Sequence, residues 1–320
     1  MNLDYLQTFI AVCEEGSFSK AARRLCLSQT TVSFQIKSLE KEYRTKLFER
    51  SSAGVTLTPA GRVLREYVER LDALQRETVT RIRACSETKR AVVRIGTSPV
   101  SGIYILTPLV SILSQVFPHT QIELEIRSGM KTNQMLNDGE LDFAILEPCF
   151  MSKSFEYKFL NKDRIFLTTA PHAFFSSSES EVSLETLRRL PFVFREDECC
   201  TRLAVKQSIS RAGFKFEELN IVMTITDIEA VKNVVKQGMA VAFLSEWAIY
   251  DDVQEGTLRV LGVPKLDLVR DRFVITTRGA RLGAHAGRIV DYLMSEEIQR
   301  ALKSPEAFRS FLASTSAVRA

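Results

Sequence analysis

Residues 16–40 read GSFSKAARRLCLSQTTVSFQIKSLE, and this segment decides the fold of the first part of the chain. Serine commonly caps helix N-termini, because its side-chain oxygen accepts a hydrogen bond from a backbone amide of the first turn. Ser17 and Ser28 are each followed by apolar residues at helical spacing, which predicts two short helices separated by a turn at residues 26–28. Two short helices joined in this way form a helix-turn-helix.

The second helix of this pair has a polar outer face. Its side chains are of the types that hydrogen-bond base edges, pair with phosphates or contact thymine methyl groups when a recognition helix enters the major groove. A polar face that is merely solvated is the alternative interpretation. The candidate DNA-binding residues on this helix and at its cap are Ser28, Gln29, Thr30, Thr31, Ser33, Phe34, Gln35 and Lys37.

A β-hairpin is predicted shortly after these helices. Residues 46–50 and 55–58 have strand character and enclose a glycine-containing tip at residues 51–54. A hairpin in this position forms the wing of a winged helix-turn-helix, and it places Arg50 where a side chain can reach a phosphate or the minor groove. We therefore expect residues 1–58 to form a winged helix-turn-helix DNA-binding domain.

A long helix is predicted over residues 59–88, because Thr58 can cap it and Pro59 is favoured at the first helical position. Its apolar residues form one seam at heptad spacing, and a long helix with such a seam commonly pairs with a copy of itself. We therefore predict that this linker is also a dimerisation helix. The seam residues are Leu64, Tyr67, Leu71, Leu74 and Thr78.

The remainder of the chain alternates strand-like and helix-like segments from residue 91 to residue 303. That alternation is typical of parallel sheets covered by helices, and two α/β lobes with a crevice between them are the simplest arrangement. Residues 164–170 and 271–277 are strand-like segments that can serve as crossovers or sheet edges. Residues 304–320 lie beyond the pattern and are expected to form a C-terminal tail or a frayed helix.

Positive charge is concentrated in the first quarter of the 320-residue chain, whose formal net charge is +4. Residues 1–90 contain 16 Lys and Arg against 11 Asp and Glu, whereas residues 91–320 contain 27 against 28. This asymmetry indicates a nucleic-acid-binding head on a near-neutral body. A solvated basic face would give the same balance.

Other functional classes find little support in the sequence. No run of about 18 uninterrupted apolar residues is present, and no secretion signal opens the chain, so we expect a cytoplasmic protein without a membrane span. The cysteines and histidines lack zinc-site spacing, and no nucleophile elbow, phosphate loop or dinucleotide fingerprint occurs. We therefore predict neither an enzyme nor a metal- or cofactor-dependent protein. A solute-binding protein without a DNA role would not need the basic head.

Residues 1–62 resemble the amino-terminal domain of LysR-type transcriptional regulators. The residues that carry the resemblance are Phe9, Gly16 to Ala22, Leu25, Leu27 to Gln29, Val32-Ser33, Gln35-Ile36, Leu39-Glu40, Leu47 to Arg50 and Leu57 to Gly61. The sequence departs from the family at residues 42–44, where a leucine-glycine turn usually follows the recognition helix. Arg44 in place of glycine is expected to alter that turn.

The body resembles the effector-binding domain of the same family, which is itself similar to periplasmic solute-binding proteins. The residues that carry this looser match are Arg94-Ile95-Gly96, Pro108, Phe117-Pro118, Gly139 to Asp142, Ala230-Val231, Val235 and Gly238. The expected fold is thus α/β with an N-terminal all-α winged helix-turn-helix, a long linker helix and a two-lobed effector domain at residues 91–303. The resemblance implies a homodimeric or homotetrameric regulator that binds double-stranded promoter DNA. It further implies a small-molecule effector, an anion by preference, and RNA polymerase as a partner.

In this family the turns at strand ends offer hydroxyls and helix-terminal amides, which suit a small carboxylate or another anion. Four turns of the body lie at such strand ends. The effector-binding candidates that they supply are Ser98, Ser101, Ser128, Thr132, Cys199, Thr201 and Thr226. An ordinary helix cap is the alternative interpretation of each residue.

Two adjacent cysteines, Cys199 and Cys200, support a second interpretation. The surrounding segment also resembles the peroxide-sensing OxyR-like branch of the family, with Cys200 at the position of its reactive cysteine. Ile209 stands where the partner cysteine is expected, so the peroxide mechanism is not carried over whole. The pair is therefore a candidate redox site or a chelating site for a soft metal or metalloid. In the alternative, Cys199 simply replaces a ligand-facing serine.

Overall fold

The computed structural model describes residues 2–51, 54–68, 70–71, 78, 91–148, 151–176 and 178–317. The chain divides into two units, Met1–Val79 and Thr80–Ala320. In the first unit, three helices precede a two-stranded antiparallel sheet. These elements are α1 (Leu3–Glu15), α2 (Phe18–Arg24), α3 (Gln29–Glu42), β1 (Phe48–Ser51) and β2 (Gly54–Leu57).

Side-chain caps begin α2 and α3 at the two serines that the sequence indicates. Ser17 Oγ accepts a hydrogen bond from the backbone amide of Lys20 at 3.4 Å, and Ser28 Oγ accepts one from that of Thr31 at 3.0 Å. Each cap satisfies an amide that the first turn of a helix leaves without a partner. The helix-turn-helix therefore begins and ends at residues that local chemistry selects.

Aromatic packing ties the hairpin to the helices. The Phe48 ring of β1 lies 5.1 Å from the ring of Phe9 in α1 and 5.8 Å from that of Phe18 in α2, measured between centroids. All three side chains are buried in the core of the first unit. The hairpin is thereby held against the helix-turn-helix, as the wing of a winged helix requires.

The turn after α3 keeps a left-handed residue at the position where the family usually has glycine. Arg44 has a φ of +53°, in the region that costs an L-residue conformational energy because its Cβ approaches the carbonyl oxygen. Arg44 thus adopts a left-handed conformation at an energetic cost that glycine would not have. Its effect on the turn relative to the family stays a prediction.

The predicted linker helix lies only partly within the described residues. Residues 59–68, 70–71 and 78 are helical, whereas Leu74 and the rest of the 59–88 segment lie outside the described residues. Along the described part, Leu64 packs against the core of the first unit. Tyr67 is 54% exposed and Leu71 is 36% exposed.

The second unit contains a seven-stranded sheet and a two-stranded sheet. Its strands are β3 (Ala91–Thr97), β4 (Thr120–Ile126), β5 (Phe143–Leu146), β6 (Phe155–Thr169), β7 (Pro191–Phe194), β8 (Asn220–Thr224), β9 (Ala242–Ser245), β10 (Arg259–Leu261) and β11 (Val269–Thr277). The large sheet has the order β10-β6-β11-β5-β3-β4, with β9 also paired to β6, and β7 pairs with β8. Its helices are Pro99–Val116, Gly129–Asn137, Leu184–Leu187, Cys200–Arg211, Ile228–Lys236, Glu246–Gln254, Ala284–Leu293, Glu296–Ala301 and Pro305–Ala317.

Two long antiparallel strands, β6 and β11, connect two lobes of this unit. In the first lobe β11 pairs with both β5 and β6, and in the second lobe the end of β6 pairs with β9 and β10. Both strands therefore lie inside the sheet rather than at its edge, and β6 begins well before the predicted residue 164. Polar residues such as Asn161 and Asp163 interrupt the apolar alternation there, so the periodicity does not reveal the first half of β6.

The helix Pro99–Val116 is long and apolar. It has 18 residues with a mean hydropathy of 1.4, so by length and composition it is apolar enough to cross a membrane. Uncharged polar residues such as Ser111 and Gln115 interrupt its apolar run. Ile105, Leu109 and Leu113 are fully buried in the core of the first lobe, so its apolar surface is used in packing the folded domain.

The C-terminal segment is a packed helix rather than a tail. Phe308 of the helix Pro305–Ala317 is 2% exposed, and its ring contacts that of Trp247 with centroids 5.6 Å apart. The helix thus joins the core of the first lobe. The alternating pattern could not predict this, because the contact depends on a tryptophan distant in sequence.

Replacing Arg44 with glycine is predicted to stabilise the DNA-binding unit. Glycine adopts positive φ without strain, so Arg44→Gly should raise the free energy of unfolding by about 0.5–1 kcal/mol. Lys41→Gly is the matched control, because Lys41 has ordinary helical geometry in the last turn of α3 and glycine there should destabilise. Urea unfolding followed by circular dichroism measures both changes. Equal destabilisation by the two substitutions would contradict this account of the turn.

Candidate functional site

The outer face of α3 presents most of the predicted DNA-binding residues to solvent. Gln29, Thr30 and Lys37 are exposed, and Phe34 is 63% exposed although it is aromatic. Ser28 caps the helix, and the half-buried Thr31 shares a hydrogen bond with Ser28 Oγ at 2.8 Å. Ser33 is half-buried, and Gln29 accepts a hydrogen bond from Ser19 Oγ at 3.0 Å. The face is polar at its N-terminal end and carries one bare aromatic ring.

Gln35 lies at the edge of the outer face of α3. Its Oε1 accepts a hydrogen bond from Thr8 Oγ1 at 2.5 Å, and Thr8 is buried in α1. The amide oxygen of Gln35 thereby helps to hold α3 against α1. Its predicted contact with DNA stays a prediction.

Arg50 lies in β1, opposite Val55 of β2. Its side chain lies outside the described residues, as does the tip of the hairpin at residues 52–53. Its predicted contact with the DNA backbone therefore stays a prediction.

A cleft separates the two lobes of the second unit, with about 320 Å³ of empty space that includes a part open to solvent. The first lobe contributes strand ends and helix starts, the second lobe contributes the loop before the helix Cys200–Arg211, and β11 contributes one arginine. The residues that line the cleft are Ser98, Pro99, Val100, Ser128, Gly129, Glu147, Arg195, Glu196, Glu198, Cys199, Cys200, Thr201 and Arg270.

The N-termini of three helices meet at this cleft. Ser98 and Ser128 cap their own helices, Ser98 Oγ at 3.3 Å from the amide of Ser101 and Ser128 Oγ at 3.4 Å from that of Lys131. Cys199 occupies the N-cap of the third helix, Cys200–Arg211, and makes no side-chain cap. Helix N-termini carry partial positive charge and amides that point outward. These N-termini favour negative charge, while the lining of the cleft also holds the carboxylates Glu147, Glu196 and Glu198.

A buried ion cluster supports the floor of the cleft. Arg272 has no exposed surface, and its Nε donates to Glu147 Oε1 at 2.5 Å and to Ser101 Oγ at 2.6 Å. Its Nη1 donates to Asn161 Oδ1 at 2.8 Å. Ser98 Oγ donates to the other oxygen of Glu147 at 2.8 Å. Buried charges need such partners, because an unpaired charge in the interior is very costly.

Arg270 is the positively charged group of this cluster that lines the cleft. Its Nε donates to Asp163 Oδ2 at 2.8 Å, and Ser245 Oγ donates to Asp163 Oδ1 at 2.6 Å. Burial opposes the charged guanidinium, but Asp163, Glu147 and Cys200 lie close enough to raise the pKa of Arg270 overall. Arg270 is therefore a fixed positive charge at the cleft.

Glu147 is held in its ionised form by the same cluster. Burial by itself raises the pKa of this carboxyl group. The positive charges of Arg272 and Arg270, with hydrogen bonds from Ser101 and Ser98, outweigh burial and lower the pKa to about 2. Glu147 thus neutralises part of the positive charge around the cleft.

The sequence of the chain matches two family models that together cover most of its length. Residues 3–62 match the bacterial regulatory helix-turn-helix protein, lysR family, and residues 86–297 match the LysR substrate binding domain. The chain belongs to the LysR family of transcriptional regulators. It is a DNA-binding regulator with an effector-binding domain.

Curated relatives agree with this assignment. The chain is 30% identical over 276 residues to an uncharacterised HTH-type transcriptional regulator of Methanocaldococcus jannaschii, covering 86% of this chain and 93% of the relative. It is also 30% identical over 278 residues to a probable RuBisCO transcriptional regulator of Cyanidioschyzon merolae, with 86% and 91% covered.

Solved structures share the fold of this regulator. A Corynebacterium glutamicum OxyR C206 mutant has a TM-score of 0.57 at 18% identity, covering 99% of this chain and 94% of that chain. The regulatory domain of Synechocystis CcmR in complex with 2-PG has a TM-score of 0.58 at 19% identity, covering 64% of this chain and 96% of that chain. At these identities the likeness concerns the fold alone.

Four of the seven predicted effector residues line the cleft of this regulator, namely Ser98, Ser128, Cys199 and Thr201. The other three do not contribute to its lining. Ser101 is fully buried and donates to Glu147, and Thr132 is fully buried. Thr226 takes part through its backbone, since its carbonyl accepts from Arg195 Nε at 2.9 Å. The sequence predicted these three residues as effector contacts because they lie in turns at strand ends. A position in a turn does not determine where the side chain points.

The charged residues of the cleft were missed in the sequence. Arg270 and Arg272 alternate with Asp271 in a strand whose continuation is apolar, and Glu147 ends the buried strand β5. A charged residue inside or directly after a buried strand would have indicated them, because a charge in the protein interior needs a group of opposite charge or a hydrogen-bond partner. The partners themselves lie far away in sequence, so the signal would not have named them.

Cys200 lies across the cleft from the first lobe. Its thiol lies close to Gly129, at the N-terminus of the helix Gly129–Asn137. A side chain at position 129 would have its Cβ 3.3 Å from Cys200 Sγ. Cys199 is 7% exposed, and neither thiol is in a disulfide. Among the described residues, no group of three or more His, Cys, Asp or Glu is placed to hold a metal ion.

The ionisation of Glu147 is predicted to make the regulator sensitive to acid. Because the pKa is about 2 when folded and near its ordinary value of 4.5 when unfolded, the ionised form adds stability above about pH 4.5. That stability is lost as the pH falls towards 2 and amounts to about 3 kcal/mol. Glu147→Gln should therefore flatten the dependence of unfolding free energy on pH between 5 and 2.5.

Glu156→Gln is the control for this measurement, because Glu156 is an exposed carboxylate on β6. Urea denaturation at several pH values compares the two variants with the parent. A Glu147→Gln variant that keeps the parental slope would show that Glu147 is not the stabilising carboxylate.

Proposed function

We propose that a small anion binds in the interlobe cleft and thereby alters DNA binding by this regulator. The convergence of three helix N-termini on one cleft beside Arg270 carries the proposal. An anion there would receive amide and guanidinium hydrogen bonds in a site already arranged for negative charge. The resident carboxylate Glu147 is neutralised by its own arginine and serines, so it does not oppose such a ligand.

The oligomeric part of the proposal rests on the linker helix. Val63 is 57% exposed, Tyr67 54% and Leu71 36%, which is an unusual amount of bare apolar surface for one helix. We infer that a second copy of the helix covers it in a homodimer, from which a homotetramer could assemble. The proposal also includes double-stranded promoter DNA as the target and RNA polymerase as a partner. It further includes a cytoplasmic location and the absence of catalysis.

A tethered carboxylate should block the anion site. Thr201 lies in the first turn of the helix Cys200–Arg211 and lines the cleft. Thr201→Asp places a negative charge where the ligand would bind, at a position where the helix dipole tolerates it. We predict that the variant folds normally and binds small anions at least tenfold more weakly than the parent protein.

Thr201→Asn is the matched control, since it has the shape of aspartate without the charge. Thermal melting with sulfate, phosphate, glycolate or 2-phosphoglycolate measures binding, because a ligand at 100 times its dissociation constant adds about 2.7 kcal/mol to stability. The asparagine variant should keep the shift and its effect on promoter affinity. Retention of the full shift by the aspartate variant would contradict the proposal.

The placement of Cys200 favours a second candidate function, a thiol-based sensor in the same cleft. The thiol lies at the first residue of a helix, beside the fixed charge of Arg270 and close to the helix start at Gly129. Nearby cations and helix N-termini stabilise thiolates and so increase thiol reactivity. An oxidant would modify Cys200, and a soft metalloid would use Cys199 as a second ligand.

Relative reactivity tests this second candidate. Cys26 is an exposed cysteine of the same chain and serves as an internal control. At pH 6.5, where ordinary thiols are protonated, iodoacetamide should label Cys200 at least tenfold faster than Cys26, as read by peptide mass spectrometry. Faster labelling of Cys26 would remove the sensor candidate, as would a hydrogen peroxide response of promoter affinity that survives Cys200→Ser.

A further inference from the structure

Two polar atoms with opposite hydrogen-bonding roles lack partners at the cleft. Nη2 of Arg270 is a donor and Oε2 of Glu196 is an acceptor, and both are buried without a hydrogen-bond partner among the described residues. Both residues line the cleft. The other buried atoms without a partner belong to Thr132, Asn133 and Arg272, which do not contribute to its lining.

The ion pair with Asp163 fixes the Arg270 guanidinium but does not give Nη2 a hydrogen bond. Nη2 lies 2.7 Å from Asp163 Oδ2, which also accepts a hydrogen bond from Nε at 2.8 Å. The contact at Nη2 lacks hydrogen-bond alignment and is therefore an ionic attraction. A buried N–H without an acceptor is costly, and an anionic ligand oxygen would supply one.

The Glu196 acceptor is also fixed in place. Its Oε1 accepts from Arg195 Nη2 at 2.6 Å, while Arg195 Nε donates to the carbonyl of Thr226 at 2.9 Å. This anchoring leaves Oε2 as the part of the carboxylate that has no donor. The other acidic residues of the cleft differ, because Glu147 is satisfied on both oxygens and Glu198 is exposed.

A simple anion would suit only one of these two atoms. It would satisfy Arg270 and the helix amides, but it would leave Oε2 of Glu196 without a donor and would experience repulsion from that carboxylate. A ligand with a hydrogen-bond donor near its anionic group satisfies both atoms at once.

We propose that the effector is amphoteric: an oxyanion group binds at Arg270 and the helix N-termini, and an ammonium or hydroxyl group donates to Glu196. Small amino acids and small hydroxy acids are the two sources of this shared chemistry. The inference rests on the proposed anion site and specifies its ligand class. Glu196 is then the residue that distinguishes these ligands from plain carboxylates.

Matched ligands test the proposal by isothermal titration calorimetry on the full-length reduced protein. One series is acetate, glycolate and glycine, and the other is propionate, 3-hydroxypropionate and β-alanine. Within a series the members share the carboxylate and differ in the donor. We expect at least one donor-bearing member to bind about tenfold or more tightly than its parent carboxylate, since satisfying a buried acceptor is worth a factor of this size.

Variants of two neighbouring glutamates assign the effect. Glu196→Ala should abolish the preference for the donor-bearing ligand and leave the parent carboxylate unchanged or tighter. Glu198→Ala removes the same charge from an exposed position of the same cleft and should keep the preference. Glu196→Gln is a control for misfolding, because the glutamine side chain can still accept a hydrogen bond from Arg195. Circular dichroism of each variant checks that it is folded.

Comparing the ligands that carry an ammonium group with those that carry a hydroxyl group distinguishes an amino acid effector from a hydroxy acid effector. Equal binding of parent and donor-bearing ligands in both series would overturn the inference, and so would a preference that survives Glu196→Ala. If plain carboxylates, sulfate or phosphate bind without any donor preference, the anion proposal stands and this inference fails. If no anion and no donor-bearing ligand binds, both fail.

Discussion

Arg272 has no solvent-exposed surface, and a guanidinium so far from water is tolerated only among partners that match its charge and geometry. Those partners come from three separate parts of the chain: Glu147 at the end of β5, Asn161 in β6 and Ser101 in the helix Pro99–Val116. The strand pairing of β6 with β11 sets Asn161 opposite Arg272. The strands that join the two lobes therefore contain a buried charge that is paired, at Nε and Nη1, with residues from distant parts of the chain.

That constraint determines the chemistry of the cleft. Two residues before Arg272, on the same face of β11, Arg270 reaches Asp163 and the cleft. Buried ion pairs are often replaceable by apolar residues without loss of stability, so stability alone does not explain this cluster. Its consequence for function is that a positive charge is held rigidly next to three helix N-termini. A site arranged before its ligand arrives loses less entropy on binding.

Residues that act locally could be predicted from the sequence. Ser17, Ser28, Ser98 and Ser128 all cap helices, because a cap depends only on the next three residues. The helix-turn-helix, its hairpin and the two-lobed α/β body followed from similar short-range patterns. The pairing of β6 with β11, which connects the two lobes, could not be predicted in this way, because polar residues of β6 conceal its periodicity.

Residues that act through distant partners could not be predicted. Asp163 and Arg270 are 107 positions apart, and Glu147 and Arg272 are 125 apart, so only the folded register brings them together. The same reason applies on a smaller scale to Gln35, whose contact with Thr8 turns it from the outer face of α3 towards the core. The amphoteric character of the cleft depends on Glu196 and Arg270 together, and neither residue alone indicates it.

A double-mutant cycle between Glu147 and Arg272 tests most directly whether this ion cluster organises the effector domain. The unfolding free energies of Glu147→Met, Arg272→Met and the double variant are compared with that of the parent chain by urea denaturation. Each single variant should lose about 3–5 kcal/mol, because it leaves a buried charge without its partner, whereas the double variant should lose several kcal/mol less than the sum. Additive losses would contradict the account, since they would mean that the two charges contribute independently of each other.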